Sequence, residues 1–264
     1  MIDGLVMIAC GAAAGVFGSL LGLGGGILIV PLLTLVFGLD LREAVGVSLV
    51  SVIMTSSAAA GVYLERHVAD LRLGMRLELF TAIGALVGGS IAFLIDERWL
   101  SILFAGLLGY VAFTMARGAR SAAAEETVVD AAADSATGGL TGGVRNMGWG
   151  VVGATGAGVA SALLGIGGGV IKVPLMHLAM GVPLRVATAT SNLMVGITAA
   201  ASAVIYLLHD QIDPYVAGPT AIGVFLGASI GLRLAHRIDL RILRWLFVVV
   251  LLYTAVQMLL RALS

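Results

Sequence analysis

The chain has 264 residues with 15 basic and 15 acidic side chains, so no net field draws it to nucleic acid or to a charged surface. Hydrophobic residues make up 59% and charged residues 11%, with a mean hydropathy of +1.08. A soluble domain carries roughly 25% charged residues, so the composition excludes a soluble enzyme or nucleic-acid binder and predicts an integral membrane protein.

The first apolar run holds the lone cysteine, Cys10, which excludes an internal disulfide and a cysteine-based metal site. No positive region precedes that run, so it is expected to stay as a membrane helix rather than leave as a signal peptide. Segments near the ~20 residues needed to span a bilayer run 5–22, 43–64, 77–95, 99–116, 148–165, 185–208, 215–233 and 241–261. Two shorter apolar segments, 27–38 and 170–181, each follow a glycine cluster. Residues 117–146 are rich in Ala, Gly and Thr with Glu125, Glu126, Asp130 and Asp134, a composition that cannot bury a core. They read as a flexible cytoplasmic linker between a first membrane repeat, 1–116, and a second, 147–264.

The two halves repeat. Residues 16–64 slide onto 159–207 without a gap, and more than two-fifths of the positions are identical. LLGLGGGILIVPLLTLVFGLDLR in the first copy becomes LLGIGGGVIKVPLMHLAMGVPLR in the second. Paired repeats interrupted by glycine at equivalent places are the sequence sign of a secondary transporter whose site lies where the repeats meet.

Arginine placement sets the topology. Arg66, Arg72 and Arg76 fall between the second and third long segments, whereas the equivalent loop of the second half, 209–213, has no Lys or Arg. The next loop of that half carries Arg233, Arg237, Arg241 and Arg244. Such a switch fits two copies inserted in opposite orientations, which requires an odd number of crossings per half. The expected fold is therefore an all-α polytopic membrane protein built as an inverted 5+5 repeat, with both termini outside. A 4+4 arrangement with re-entrant short segments is the competing count.

The glycine runs at Gly22, Gly24, Gly25 and Gly26 and at Gly165, Gly167, Gly168 and Gly169 interrupt helices and let a ligand approach the main chain. A helix starting just after them turns free N–H groups toward the gap, an arrangement suited to an anion. Pro31 and Pro174 are the structural breaks that accompany them. Glycines in membrane helices also serve close packing, the role expected of Gly223, Gly227 and Gly231.

Lys172, the chain's single lysine, replaces Ile29 of the first copy, and a cation at membrane depth marks a functional site or snorkels to an interface. An anionic substrate is its expected partner. Ser48 and Thr55 match Ser191 and Thr198, a spacing of seven that puts each pair on one helical face, with Asn192 beside the second. These hydroxyls either bind anion oxygens or tie helices together. His177 falls on a different face from Lys172, and Arg42 and Arg185 read as interfacial anchors.

No HExxH, GxSxG or Walker A sequence occurs, so intramembrane protease, esterase and ATP-driven pump lack their parts. No cofactor or metal is expected. No carboxylate is central enough for an obvious proton relay, Glu78 near the start of its segment coming closest, so proton or other ion coupling stays open.

With VFGSLLGLGGGILIVPLL, its repeat SALLGIGGGVIKVPL and the ATATSN stretch, the chain resembles the TauE/SafE sulfite exporter family, also called the 4-toluene sulfonate uptake permeases. The resemblance implies a permease of a bacterial or archaeal inner membrane that moves sulfite, sulfoacetate or another organosulfonate, and it leaves direction and oligomeric state open. Residues Gly22 to Gly26, Pro31, Gly165 to Gly169, Pro174, Ser191 and Asn192 fall on its motifs. A passive anion channel or a non-transporting membrane assembly protein is the alternative function.

Overall fold

In the computed structural model, which describes residues 2–20, 25–65, 69–133, 147–234 and 240–263, the described residues are almost wholly helical. In chain order the helices are α1 (Ile2–Leu20), α2 (Gly26–Val36), α3 (Leu41–Glu65), α4 (Leu71–Ala92) and α5 (Glu97–Ala133). They continue with α6 (Met147–Leu164), α7 (Gly169–Pro174), α8 (Leu184–Leu208), α9 (Pro214–Leu234) and α10 (Leu240–Leu263), and a π-helical turn, Leu175–Ala179, extends α7. Seven of these helices contain spans long and apolar enough to cross a bilayer. Gly4–Ser19, Gly26–Val36 and Gly169–Ala179 are shorter apolar helices. Helix α5 runs on to Ala133, into the stretch read from sequence as a linker, and 134–146 lie outside the described residues.

The boundary shift that bears on the site is at α4, which begins six residues before the apolar run. Asp70 caps it by accepting from the Leu73 N–H at 3.0 Å, so Arg72 and Arg76 stand exposed on its first turns instead of in a loop. Glu78, expected near a helix end, is thereby carried about two turns into the helix, roughly 10 Å from its start.

Packing pairs helices across the two halves. Helix α1 lies against α9, α4 against α6, α5 against α10, and α3 against α8. Glycines permit the two closest pairings. A Cβ on Gly223 or Gly227 would strike the backbone of Ile8 or Ala12, and one on Gly84 or Gly158 that of Thr155 or Thr81. Gly223, Gly227 and Gly231 thus serve close packing, as their spacing predicts. Large apolar side chains face outward along the spans, among them Leu79, Ile83, Val249 and Val256, and Trp99 and Trp149 stand exposed at helix starts. That is the surface of a multi-pass membrane protein, with lipid in place of water.

One stability prediction follows. Gly84→Val places a side chain against the Thr155 backbone, and overpacking of this kind costs about 3 kcal/mol. Gly106→Val, where an added Cβ meets no atom within 4 Å, is the control and is expected to fall within about 0.5 kcal/mol of the parent. Unfolding in detergent, followed by thermal melting, checks both; equal melting temperatures would mean that α4 and α6 do not pack through this glycine.

Candidate functional site

The glycine breaks meet where the halves touch. Gly25 and Gly168 both adopt left-handed backbone, with φ of 75° and 77°, and each stands just before its helix, α2 or α7, without a side-chain cap. A Cβ on Gly26 would lie 2.5 Å from the Gly165 carbonyl oxygen, and the Ser48 hydroxyl, which lies 2.7 Å from that same oxygen, donates to it. Gly167, with φ of 78°, is wedged against Val52 and Val195. Gly22 and Gly24 lie outside the described residues. Pro31 is carried inside α2 without interruption, whereas Pro174 closes α7 and is followed by the π-helical turn. Proline lacks the N–H for the regular ladder, and the second copy resolves that defect by widening its helix.

Lys172 lies 1% exposed inside this junction. Its Nζ donates to Glu78 Oε2 at 3.0 Å and to Thr198 Oγ1 at 2.5 Å, and Thr198 Oγ1 donates in turn to Glu78 Oε1 at 2.6 Å. Three helices, α4, α7 and α8, thus close one triangle of hydrogen bonds around a buried ion pair. One expectation is corrected here. A carboxylate pairs with Lys172: Glu78, expected near a segment end and too peripheral for a proton relay, is 4% exposed and buried inside the bundle. The reason is the early start of α4.

The remaining residues fall into two groups. Ser191, Ser161 and Lys172 surround the corner made by Gly168 and Gly169. A Cβ on Gly168 would lie 3.4 Å from Ser161 Cβ and 3.5 Å from Lys172 Cε, and one on Gly169 would lie 3.6 Å from Ser191 Oγ. The hydroxyls of Ser161 and Ser191 are both buried and have no hydrogen-bond partner. Buried hydroxyls are normally satisfied, so two orphans beside one cation call for an explanation. The others bond elsewhere. Thr55 donates to the Val52 carbonyl of its own helix, and Asn192 offers its backbone carbonyl to Ser56 Oγ at 2.6 Å. His177 Nδ1 sits 2.9 Å from the Val182 carbonyl, away from the triangle. Arg42 donates to the Ile95 carbonyl at 2.7 Å, and the side chain of Arg185 lies outside the described residues.

Polar recesses open at the two ends of the bundle, one lined by Asp70, Arg72 and Arg76, the other by Asp40, Glu97, Arg98 and Arg261. Lys172 lines neither recess, and it and Glu78 are buried between the helices.

Sequence reasoning named Glu78 only as the nearest approach to a proton relay, and it did not single out Ser161. For Ser161 a signal existed, since it immediately precedes the second glycine motif on the helix that enters it. For Glu78 the signal was Asp70, a capping residue eight positions upstream.

Residues 7–258 match the family model described as "Sulfite exporter TauE/SafE". A "Probable membrane transporter protein" of Xylella fastidiosa (strain 9a5c) is 32% identical over 238 residues, covering 88% of this chain and 85% of the relative. A second relative, "Probable membrane transporter protein YunE" of Bacillus subtilis (strain 168), is 24% identical over 268 residues, 96% of each chain. No solved structure matches the chain. Both relatives carry the name of probable membrane transporters, and the family match spans both glycine motifs and the buried triangle: the chain belongs to the TauE/SafE sulfite exporter family.

Proposed function

We propose that the protein is a secondary transporter for a small sulfur-containing oxyanion, such as sulfite, sulfoacetate or another organosulfonate, working by alternating access. The observation that carries this reading is the pair of buried, unpartnered hydroxyls, Ser161 and Ser191, at the glycine corner beside Lys172. A sulfonate or sulfite group presents three oxygens, each an acceptor. Two orphan donors and one ammonium complement them, with Gly168 and Gly169 leaving room at the backbone.

The halves are read as inverted repeats. Contacts recur at the spacing of the sequence repeat: Gly84 meets Thr155 as Gly227 meets Ala12, and Gly158 meets Thr81 as Gly15 meets Val224. The pairing of α1 with α9 and of α4 with α6 then exchanges one helix between halves, so the bodies that rock are mixed. One comprises α1, α2, α3 and α9, the other α4, α6, α7 and α8, and they slide along the α3–α8 contact that holds both breaks. A cysteine at position 72 in place of Arg72 is expected to be shielded from an impermeant thiol reagent outside whole cells, and one replacing Asp210 to be labelled, with Cys10 first removed. Labelling of both from one side would return the fold to parallel halves.

Uptake of labelled sulfite, sulfoacetate and methanesulfonate into proteoliposomes tests the function. At least one is expected to accumulate and to be displaced by the others; uptake of none would remove the sulfur-anion reading. A passive channel is the second reading, and trans-acceleration of labelled uptake by unlabelled anion inside, which requires a carrier cycle, separates the two.

A further inference from the structure

A carboxylate beside the cation is the opposite of what an anion site alone requires. The side chains of Lys172 and Glu78 are 2% and 6% exposed, and the pair is held by Thr198 from a third helix. Stability does not account for it, because a buried ion pair is generally no better than well-packed apolar residues of the same volume. Nor does symmetry. At the repeat spacing, Ile29 stands where the second copy has Lys172, and Ala221 stands where the first has Glu78, while the threonine is kept as Thr55 and Thr198. Both members of the pair occur once, and they occur together.

The charge balance of the buried pair points to a role. With the ammonium and carboxylate both ionised, the empty site is neutral. A monoanion entering alone would leave one uncompensated negative charge away from water, which is strongly unfavourable. A monoanion entering with one proton leaves the site neutral again. Resting on the anion reading above, we propose that Glu78 is the proton-coupling site, so that the transporter carries a monoanion and a proton together. In the loading step the carboxylate takes a proton from water on the open side and forms an O–H bond. Lys172 is released and its ammonium passes to the anion, whose other oxygens meet Ser161 and Ser191. On the far side the anion leaves, Glu78 returns its proton to water, and the ion pair re-forms. Thr198 is a positioning residue, its hydroxyl donating to whichever group bears the negative charge.

The surroundings leave Glu78 as the acid for this exchange. Helix α6 carries no acidic or basic residue, and α8 has only Arg185, in its first turn. Lys172 and His177 are the titratable groups of α7 and its π-helical turn, and His177 lies against the Val182 carbonyl. On α4 itself, Arg72 and Arg76 are exposed. The single Glu78 per chain sets the stoichiometry at one proton for each monoanion.

Methanesulfonate is the probe, because a sulfonate stays a monoanion at neutral pH and contributes no proton of its own. Adding it to purified wild-type protein in weakly buffered detergent solution is expected to remove about one proton per anion bound, read with a pH indicator. In proteoliposomes, an inward methanesulfonate gradient should acidify the lumen. Glu78→Gln, purified in methanesulfonate so that the anion neutralises Lys172, is compared with wild type by the number of protons taken up per anion bound, a ratio that holds at whatever level of binding remains. The same variant should lose both proton uptake and lumen acidification. Binding by wild type without proton uptake would overturn the role of Glu78, and so would proton uptake that survives Glu78→Gln. Wild-type protein that neither binds nor exchanges methanesulfonate would instead overturn the anion reading on which the role rests.

Discussion

Lys172→Gln is expected to abolish anion-dependent thermal stabilisation of the purified protein and, without ligand, to lower its stability. The ammonium is the one cation inside the junction among the described residues, and its removal takes from the anion its only charge partner. It also leaves Glu78 buried with the Thr198 hydroxyl as donor, and breaking one side of a buried pair typically costs about 3–5 kcal/mol. Lys172→Arg should retain part of the stabilisation, because charge sign outweighs shape at such depth, although the fork is too large for the triangle as built. Ile29→Gln, the matching change in the first copy, buries an amide in the core but removes no charge, so anion binding should suffer less than in Lys172→Gln. The double replacement Lys172→Met with Glu78→Leu separates the two effects. It should recover most of the lost stability and still show no anion shift, since no charge is left unpaired and none is left to bind. A full shift in Lys172→Gln would move the anion to the hydroxyls and backbone alone.

Gly168→Val is expected to give folded protein whose transport is lost by more than tenfold. The residue has φ of 77°, where a side chain costs about 1–2 kcal/mol and a β-branched one more. A Cβ there would sit 3.0 Å from the Ala157 carbonyl oxygen, with Ser161 and Lys172 next. The added methyl groups therefore enter the space assigned to the anion. Gly25→Val carries the same backbone strain at φ of 75°, but its Cβ meets Thr55 Cγ2 at 3.3 Å and no cation. It should reduce transport less than Gly168→Val does. Initial rates of labelled anion uptake, normalised to monodisperse protein, make the comparison; equal wild-type rates in both variants would reduce the glycine breaks to packing devices.

Much of this architecture is legible in the chain because membranes punish irregularity. An unwound glycine run between apolar segments must be satisfied inside the protein, so two runs at one spacing announce both the repeat and its junction. Lys172 stands out for the same reason. What the sequence hides are pairings across distance and helix ends written in polar residues. Lys172 and Glu78 are 94 residues apart, and no local pattern links them. Hydropathy places the start of the third long segment where apolar residues begin, at 77, yet Asp70 nucleates α4 seven residues earlier and sinks Glu78 below the surface. The hydroxyl spacing was legible as a face, but not the division of labour on it. Ser48 bonds the Gly165 carbonyl across the junction, while Ser191, its equivalent, is left without a partner. That difference is tertiary and has no counterpart in the local sequence.

Counterflow tests the central claim most directly: that an anion binds at Lys172 and crosses by a carrier cycle. Proteoliposomes preloaded with unlabelled methanesulfonate and diluted into a trace of labelled methanesulfonate are expected to take up label transiently above equilibrium, with Lys172→Gln liposomes showing no such overshoot. Label that enters at the same rate with or without unlabelled anion inside, or an overshoot that persists in Lys172→Gln, would contradict it.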